Sequence, residues 1–216
     1  MISAQEALDR LRDGNRRFVS EDWSTQTMPS QTRRREVAMA QQPFAIILGC
    51  SDSRVPAEMV FDQGLGDLFV IRVAGNIVAP SQIGSVEFAV ERYDTRLVVV
   101  LGHSMCGAIQ ATLEELERPT SGRSQNLRSI VDRVRPSVEE LMATELRHDM
   151  RALTYHAVRA NIRASAAHLR HGSQTIEELI EHGGLRVVGA EYSLETGIVD
   201  FFDDWDASVR SEFTPR

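Results

Sequence analysis

The two cysteines of the chain each stand in a short polar motif that follows an apolar run. Cys50-Ser51-Asp52-Ser53-Arg54 comes after Phe44-Ala45-Ile46-Ile47-Leu48, and His103-Ser104-Met105-Cys106-Gly107 comes after Leu97-Val98-Val99-Val100-Leu101. Thiolates and imidazole are the ligands of tetrahedral zinc, and catalytic zinc sites use three protein ligands so that a fourth position stays open. Both apolar runs read as buried parallel strands, and open parallel sheets bind ligands beyond the carboxyl ends of their strands. If the two strands are neighbours, Cys50, His103 and Cys106 converge on one point and hold one zinc ion. Asp52 and Arg54 read as a pair, since a nearby cation keeps a carboxylate ionised and oriented. So placed, Asp52 could orient a zinc-bound hydroxide. It could also bind the zinc itself as a fourth ligand, giving a closed, inactive state.

Other thiol chemistry fits the spacing poorly. A phosphate-cradling thiol loop needs five residues between Cys and Arg, whereas three separate Cys50 from Arg54. A redox pair would show Cys-x-x-Cys, but these cysteines are 56 positions apart. A disulfide between two neighbouring loops stays open as an alternative. His148, His156, His168, His171 and His182 have no acidic or cysteine partner at metal spacing and are assigned ordinary surface or core roles. Gly64-x-Gly66 is a turn signal without the rest of a nucleotide-binding fingerprint.

A chain of 216 residues with 42% hydrophobic residues can bury one substantial core, so residues 1–216 are expected to form a single domain. The net charge is −7, and all 24 cations are arginine. That balance argues against nucleic acid as a partner, and Arg33-Arg34-Arg35 is expected on a solvated helix face. The amino terminus lacks the features of a secretory leader, and no segment has the apolar length to span a bilayer. A cytoplasmic setting is therefore expected, where reduced thiols favour metal binding.

The elements that must position these residues follow from periodicity and caps. Residues 1–42 read as a helical arm: one helix capped by Ser3 and Glu6 and running to about Phe18, a linker from Trp23 to Pro29, and a second helix capped by Ser30. Residues 43–216 read as an α/β core, with strands at 44–49, 68–72 and 97–101 separated by a short helix entered at Pro56 and a helix over 81–93. Residues 107–117 and 126–171 are rich in helix formers, with breaks expected near Pro119, Gly122 and Pro136. A helix over 175–182 stops at Gly183-Gly184, and strands at 185–190 and 198–202 follow, the last at a sheet edge. The expectation is a central, mostly parallel β-sheet of about four to five strands flanked by helices.

With both motifs in place, the sequence resembles the β-class carbonic anhydrases, whose hallmark is Cys-x-Asp-x-Arg together with His-x-x-Cys. The likeness extends to Gly14-Asn15-Arg16-Arg17-Phe18, Gly66-Asp67-Leu68-Phe69-Val70-Ile71-Arg72, Gly84-Ser85-Val86-Glu87-Phe88-Ala89-Val90 and Gly197-Ile198-Val199-Asp200-Phe201-Phe202. The resemblance implies one zinc per subunit on Cys50, His103 and Cys106, with Asp52 and Arg54 as the orienting dyad. It implies reversible hydration of carbon dioxide to bicarbonate and a proton by zinc-bound hydroxide. Gly107 would offer its backbone amide, Gln41 would hydrogen-bond bicarbonate, and Phe69, Ala74 and Phe88 would line an apolar pocket. Ala74 and Phe88 stand where many relatives have a larger residue and a tyrosine. Ile47 stands where some bacterial members carry the tryptophan of a second, inhibitory bicarbonate site, so that site is expected to be absent. Two thiolates should acidify zinc-bound water less than imidazoles do, and Arg92 and Tyr93 replace a histidine that some relatives use to relay protons. The resemblance also implies a dimer or tetramer, with the arm embracing the partner and active clefts at the interface. A noncatalytic zinc or bicarbonate sensor, or a hydrolase of a related small molecule such as carbon disulfide, would use the same ligands.

Overall fold

The structure is a computed structural model and describes residues 2–25, 27, 30–119 and 124–204. Met28, Pro29 and Gly122, named above as linker and break positions, lie outside the described residues. The arm begins with α1 (Ala4–Ser20), which starts at Ser3 with the reciprocal capping box to Glu6 that the sequence predicts. Its apolar stripe of Ala7, Leu8 and Leu11 is buried on the sheet. The second helix, α2 (Gln31–Met39), is capped by Ser30 and buries no residue within the chain.

Five strands build one sheet: β1 (Ala45–Gly49), β2 (Leu68–Arg72), β3 (Leu97–His103), β4 (Arg186–Tyr192) and β5 (Val199–Asp204). Their spatial order is β2-β1-β3-β4-β5. The first four run parallel, and β5 pairs antiparallel with β4 at the edge. Side chains alternate between the two faces of each strand, and here both faces are covered. Ile46, Leu48, Val98, Val100 and Val187 point into one core and Ala45, Ile47, Val99, Leu101 and Val188 into the other. Burial on both sides is why β1 and β3 read as unbroken apolar runs.

The helices of the first core are α4 (Pro80–Tyr93), α5 (Gly107–Glu117), α6 (Gln125–Met142), α7 (Met150–His171) and α8 (Gln174–His182). The opposite face carries α1 and the four-residue α3 (Ala57–Val60), for which Pro56 is the cap rather than the first helical residue. Pro136, expected to break the helical region, lies inside α6. The helix continues through it because Val131, Val134 and Val138 bury one face against the core, and packing outweighs the roughly 3 kcal/mol helix penalty of proline. The break falls instead at residues 143–149, where a short 3-10 turn leads to Asp149, the cap of α7.

Candidate metal centre

The chain leaves β1 toward β2 on one side, while β3 lies on the other, so β1 and β3 flank the point where the sheet order reverses. Crevices of parallel sheets open at such points, beyond the strand ends. Gly49 closes β1 opposite Leu101 of β3, and Cys50 is the next residue. The third strand runs two residues further than its apolar run suggests, so His103 is its last residue, paired with Tyr192. Met105 takes a left-handed conformation (φ 52°) that turns the chain, and Cys106 caps the start of α5.

This arrangement gathers the three candidate ligands that the sequence singles out. The nearest ligand atoms of Cys50, His103 and Cys106 all lie within 4.8 Å of one another, and all three residues are buried. The two sulfurs are 3.9 Å apart. Two thiolates on a tetrahedral zinc with bonds of about 2.3 Å would be separated by roughly 3.8 Å. His103 Nδ1 lies 2.9 Å from the Ser104 carbonyl, and donating to it leaves Nε2 as the lone-pair nitrogen. That Nε2 is buried and has no hydrogen-bond partner in the protein. An orphaned imidazole nitrogen beside two thiols is the chemistry of a metal site, and the residues fit zinc.

The Cys50 thiol is held down to about 4 by the hydrogen bond from Cys106, with the Gly75 and Asp52 amides adding to the effect against the opposing cost of burial. Cys106 is pushed up, first by its bond to Cys50 and then by burial.

Beside these three residues, Asp52 accepts two bonds from the Arg54 guanidinium, at 2.9 and 2.7 Å, and a third from the Arg54 amide at 3.0 Å. These bonds, the side-chain pair foremost, hold its carboxyl well below the usual carboxylate range. Asp52 Oδ2 lies 3.8 Å from His103 Nε2, so the dyad borders the centre. Arg72, the last residue of β2, clasps the loop from behind: Nε donates to the Cys50 carbonyl at 3.0 Å and Nη2 to the Asp52 carbonyl at 2.6 Å. Sequence alone offered no signal for that clasp beyond a cation at a strand end. Gly107 is the first residue of α5, and a Cβ on it would meet nothing within 4 Å. Ala74 begins the turn whose next residue, Gly75, reaches Cys50 Sγ with its amide at 3.4 Å.

The remaining sequence candidates meet one another elsewhere within the chain. Phe69 pairs with Ile46, three positions before the strand ends that carry the centre and so about 10 Å away along the sheet. Its ring packs on Phe88 and Tyr93, with centroids 6.2 and 6.0 Å away. Gln41 Nε2 donates to the Tyr93 hydroxyl at 2.8 Å. Phe88 is 51% exposed, so the group is an aromatic surface of this chain, with Tyr93 as its organiser.

Residues 45–199 match the family model described as carbonic anhydrase. Carbonic anhydrase 2 of Mycobacterium tuberculosis is 40% identical over 189 residues, covering 87% of both chains. Among solved structures, the Coccomyxa β-carbonic anhydrase in complex with acetazolamide aligns with a TM-score of 0.69 at 26% identity, over 90% of this chain and 86% of that one. A structure from a study of two tetrameric β-carbonic anhydrases of Sordaria macrospora aligns with a TM-score of 0.69 at 27% identity, over 78% of this chain and 85% of that one.

Proposed function

From the premise that this chain belongs to the β-class carbonic anhydrases, we propose that Cys50, His103 and Cys106 hold one zinc ion and that the enzyme hydrates carbon dioxide through it. The observation that carries this reading is the buried meeting of two sulfurs and an orphaned imidazole nitrogen beside a bidentate Asp52–Arg54 pair. A zinc ion there supplies Lewis acidity, making water a stronger acid and hence a usable nucleophile near neutral pH.

The chain's own residues supply orientation. Asp52, kept ionised by Arg54, can only accept, so it takes a hydrogen bond from the attacking solvent and turns its lone pair toward carbon dioxide. Arg72 keeps the loop from rotating by holding the carbonyls on either side of Ser51. The Gly107 amide, at the positive end of α5, would donate to the oxygen on which charge develops. Carbon dioxide and water give bicarbonate and a proton, and the proton leaves to water and buffer.

The aromatic surface of Gln41, Phe69, Phe88 and Tyr93 serves the site of a second copy, which accounts for candidates that lie apart from the centre in one chain. A dimer or tetramer would set that surface over the partner's cleft, and α2, none of whose residues is fully buried in its own chain, has the arm's role of packing on the partner. Among the described residues, no helix is long and apolar enough to cross a membrane, and the cytoplasm suits the free thiols. Steep inhibition by bicarbonate is not expected, because Ile47 is buried in the core where the second anion site needs tryptophan and Arg72 is committed to backbone carbonyls. Metal analysis and stopped-flow hydration of the purified protein test the proposal. One zinc per chain with buffer-dependent turnover is expected, and a zinc-loaded protein without hydration activity would refute the catalytic reading.

A further inference from the structure

Helix α7 touches both halves of the centre with two successive residues. Ile162 packs so closely on Gly102, the residue before His103, that a Cβ on that glycine would lie 2.5 Å from Ile162 Cδ1. Asn161 lies on the other side, 2% exposed, in a buried helix face that it shares with Leu153, Thr154, Ala157, Val158 and Ser165. A buried amide in a helix interior is costly unless it is bonded. Its Nδ2 donates to the Gly75 carbonyl at 2.8 Å, across 86 positions of sequence.

Gly75 is the residue whose N–H reaches Cys50 Sγ at 3.4 Å. It adopts φ 71°, and a Cβ there would come within 3.2 Å of the Ala108 Cβ. Once φ and ψ of a residue are set, its N–H and C=O directions are fixed relative to each other. Anchoring the Gly75 carbonyl therefore fixes where its amide points. Hydrogen bonds to a ligating sulfur reduce the charge that it gives a metal, and such outer partners commonly govern affinity by 10- to 100-fold.

We propose that Asn161 is a positioning residue of the metal centre: by holding the Gly75 carbonyl it aims the Gly75 amide at the Cys50 sulfur and sets how strongly that thiolate donates. The inference rests on the reading of Cys50 as a metal ligand. Replacing Asn161 leaves the Gly75 carbonyl without its donor and the turn free to rotate, whereas trimming Ile162 alters packing on the same helix without touching the bond.

The test compares wild type, Asn161→Leu, Asn161→Ser and Ile162→Val as purified full chains loaded with Co(II) or Zn(II). Serine is the mild variant that keeps the helix folded if leucine does not, because its hydroxyl can turn to its own helix backbone. Both Asn161 variants are expected to move the sulfur-to-Co(II) charge-transfer band to lower energy, as the sulfur loses its hydrogen bond, and to lose about 10-fold or more in Zn(II) affinity by chelator competition, because the freed turn no longer pre-positions Cys50 and a more basic thiolate holds its proton harder. Ile162→Val is expected to lower the melting temperature while leaving the band in place. Wild-type protein that binds neither metal overturns the ligand reading. Wild type that binds, with affinity and band unchanged in a folded Asn161 variant or moved equally by Ile162→Val, overturns the positioning role alone.

Discussion

Replacing Asn15 by leucine should cost this protein a large share of its stability, and the structure gives the size. Asn15, 6% exposed, is the junction between α1, the end of α3 and β5. Its Nδ2 donates to the Val60 carbonyl at 3.1 Å and to the Gly197 carbonyl at 2.9 Å, and its Oδ1 accepts from the Val199 amide at 2.9 Å. The adjacent Gly14 brings α1 so near that a Cβ there would fall 1.8 Å from the Phe61 carbonyl oxygen. Water therefore has little room to replace the lost side chain. Three backbone groups left unpaired at roughly 1–2 kcal/mol each give about 3–6 kcal/mol, from which the burial of leucine returns about 1 kcal/mol. Against a typical total of about 5–15 kcal/mol, a net loss of about 2–5 kcal/mol is severe. In urea, with a slope near 2–3 kcal/mol/M, the midpoint should fall by about 1–2 M with the slope unchanged at fixed protein concentration. Asn15→Asp separates bonding from size, since it keeps the acceptor for Val199 but turns a carboxylate toward two carbonyls. Its loss should be at least as large. A midpoint shift below about 0.3 M for leucine, or an aspartate variant as stable as wild type, would refute the reasoning.

If Asp52 orients the solvent nucleophile as proposed, Asp52→Asn removes that acceptor while keeping the shape, and hydration turnover should fall about 10²- to 10⁴-fold with the metal content unchanged. Loss of metal in that variant would instead make Asp52 a ligand. His103→Ala removes the only neutral donor of the centre, and the purified protein should carry markedly less zinc and lose the melting-temperature increase that added zinc gives wild type. Asp62 is buried, which raises its carboxyl, but the bonds from Arg17, Thr27 and the Ser24 amide outweigh this and leave it lowered. A lowered carboxyl stabilises the fold above its ordinary value near 4 and loses that contribution as pH falls through the folded value. Asp62→Asn should thus cost stability at pH 7 and converge with wild type as the pH drops below about 4, measured by urea midpoints across pH. Parallel curves would refute the assignment.

Much of the centre was legible because it depends on local pattern. Apolar runs of five residues followed by Cys50-x-Asp-x-Arg and His103-x-x-Cys point to the three residues that meet in the centre and to the strand ends that carry them, and the Ser3, Ser30 and glycine signals mark helix ends within a residue or two. Pro136 misled because propensity is local, whereas the valines of α6 are held by the rest of the core.

What the chain determines residue by residue is which groups can bind a metal and which segments alternate as strand and helix, since both follow from chemistry within a few positions. The adjacency of β1 and β3, on which the meeting of Cys50 with His103 and Cys106 depends, comes from strand order. So do the Arg72 clasp on two carbonyls and the reach of Asn161 to Gly75. The same order sends Gln41, Phe69 and Phe88 to a surface of their own. Those contacts join residues tens of positions apart, and only the packing of the whole sheet and its helices selects them from the many pairings that local sequence allows.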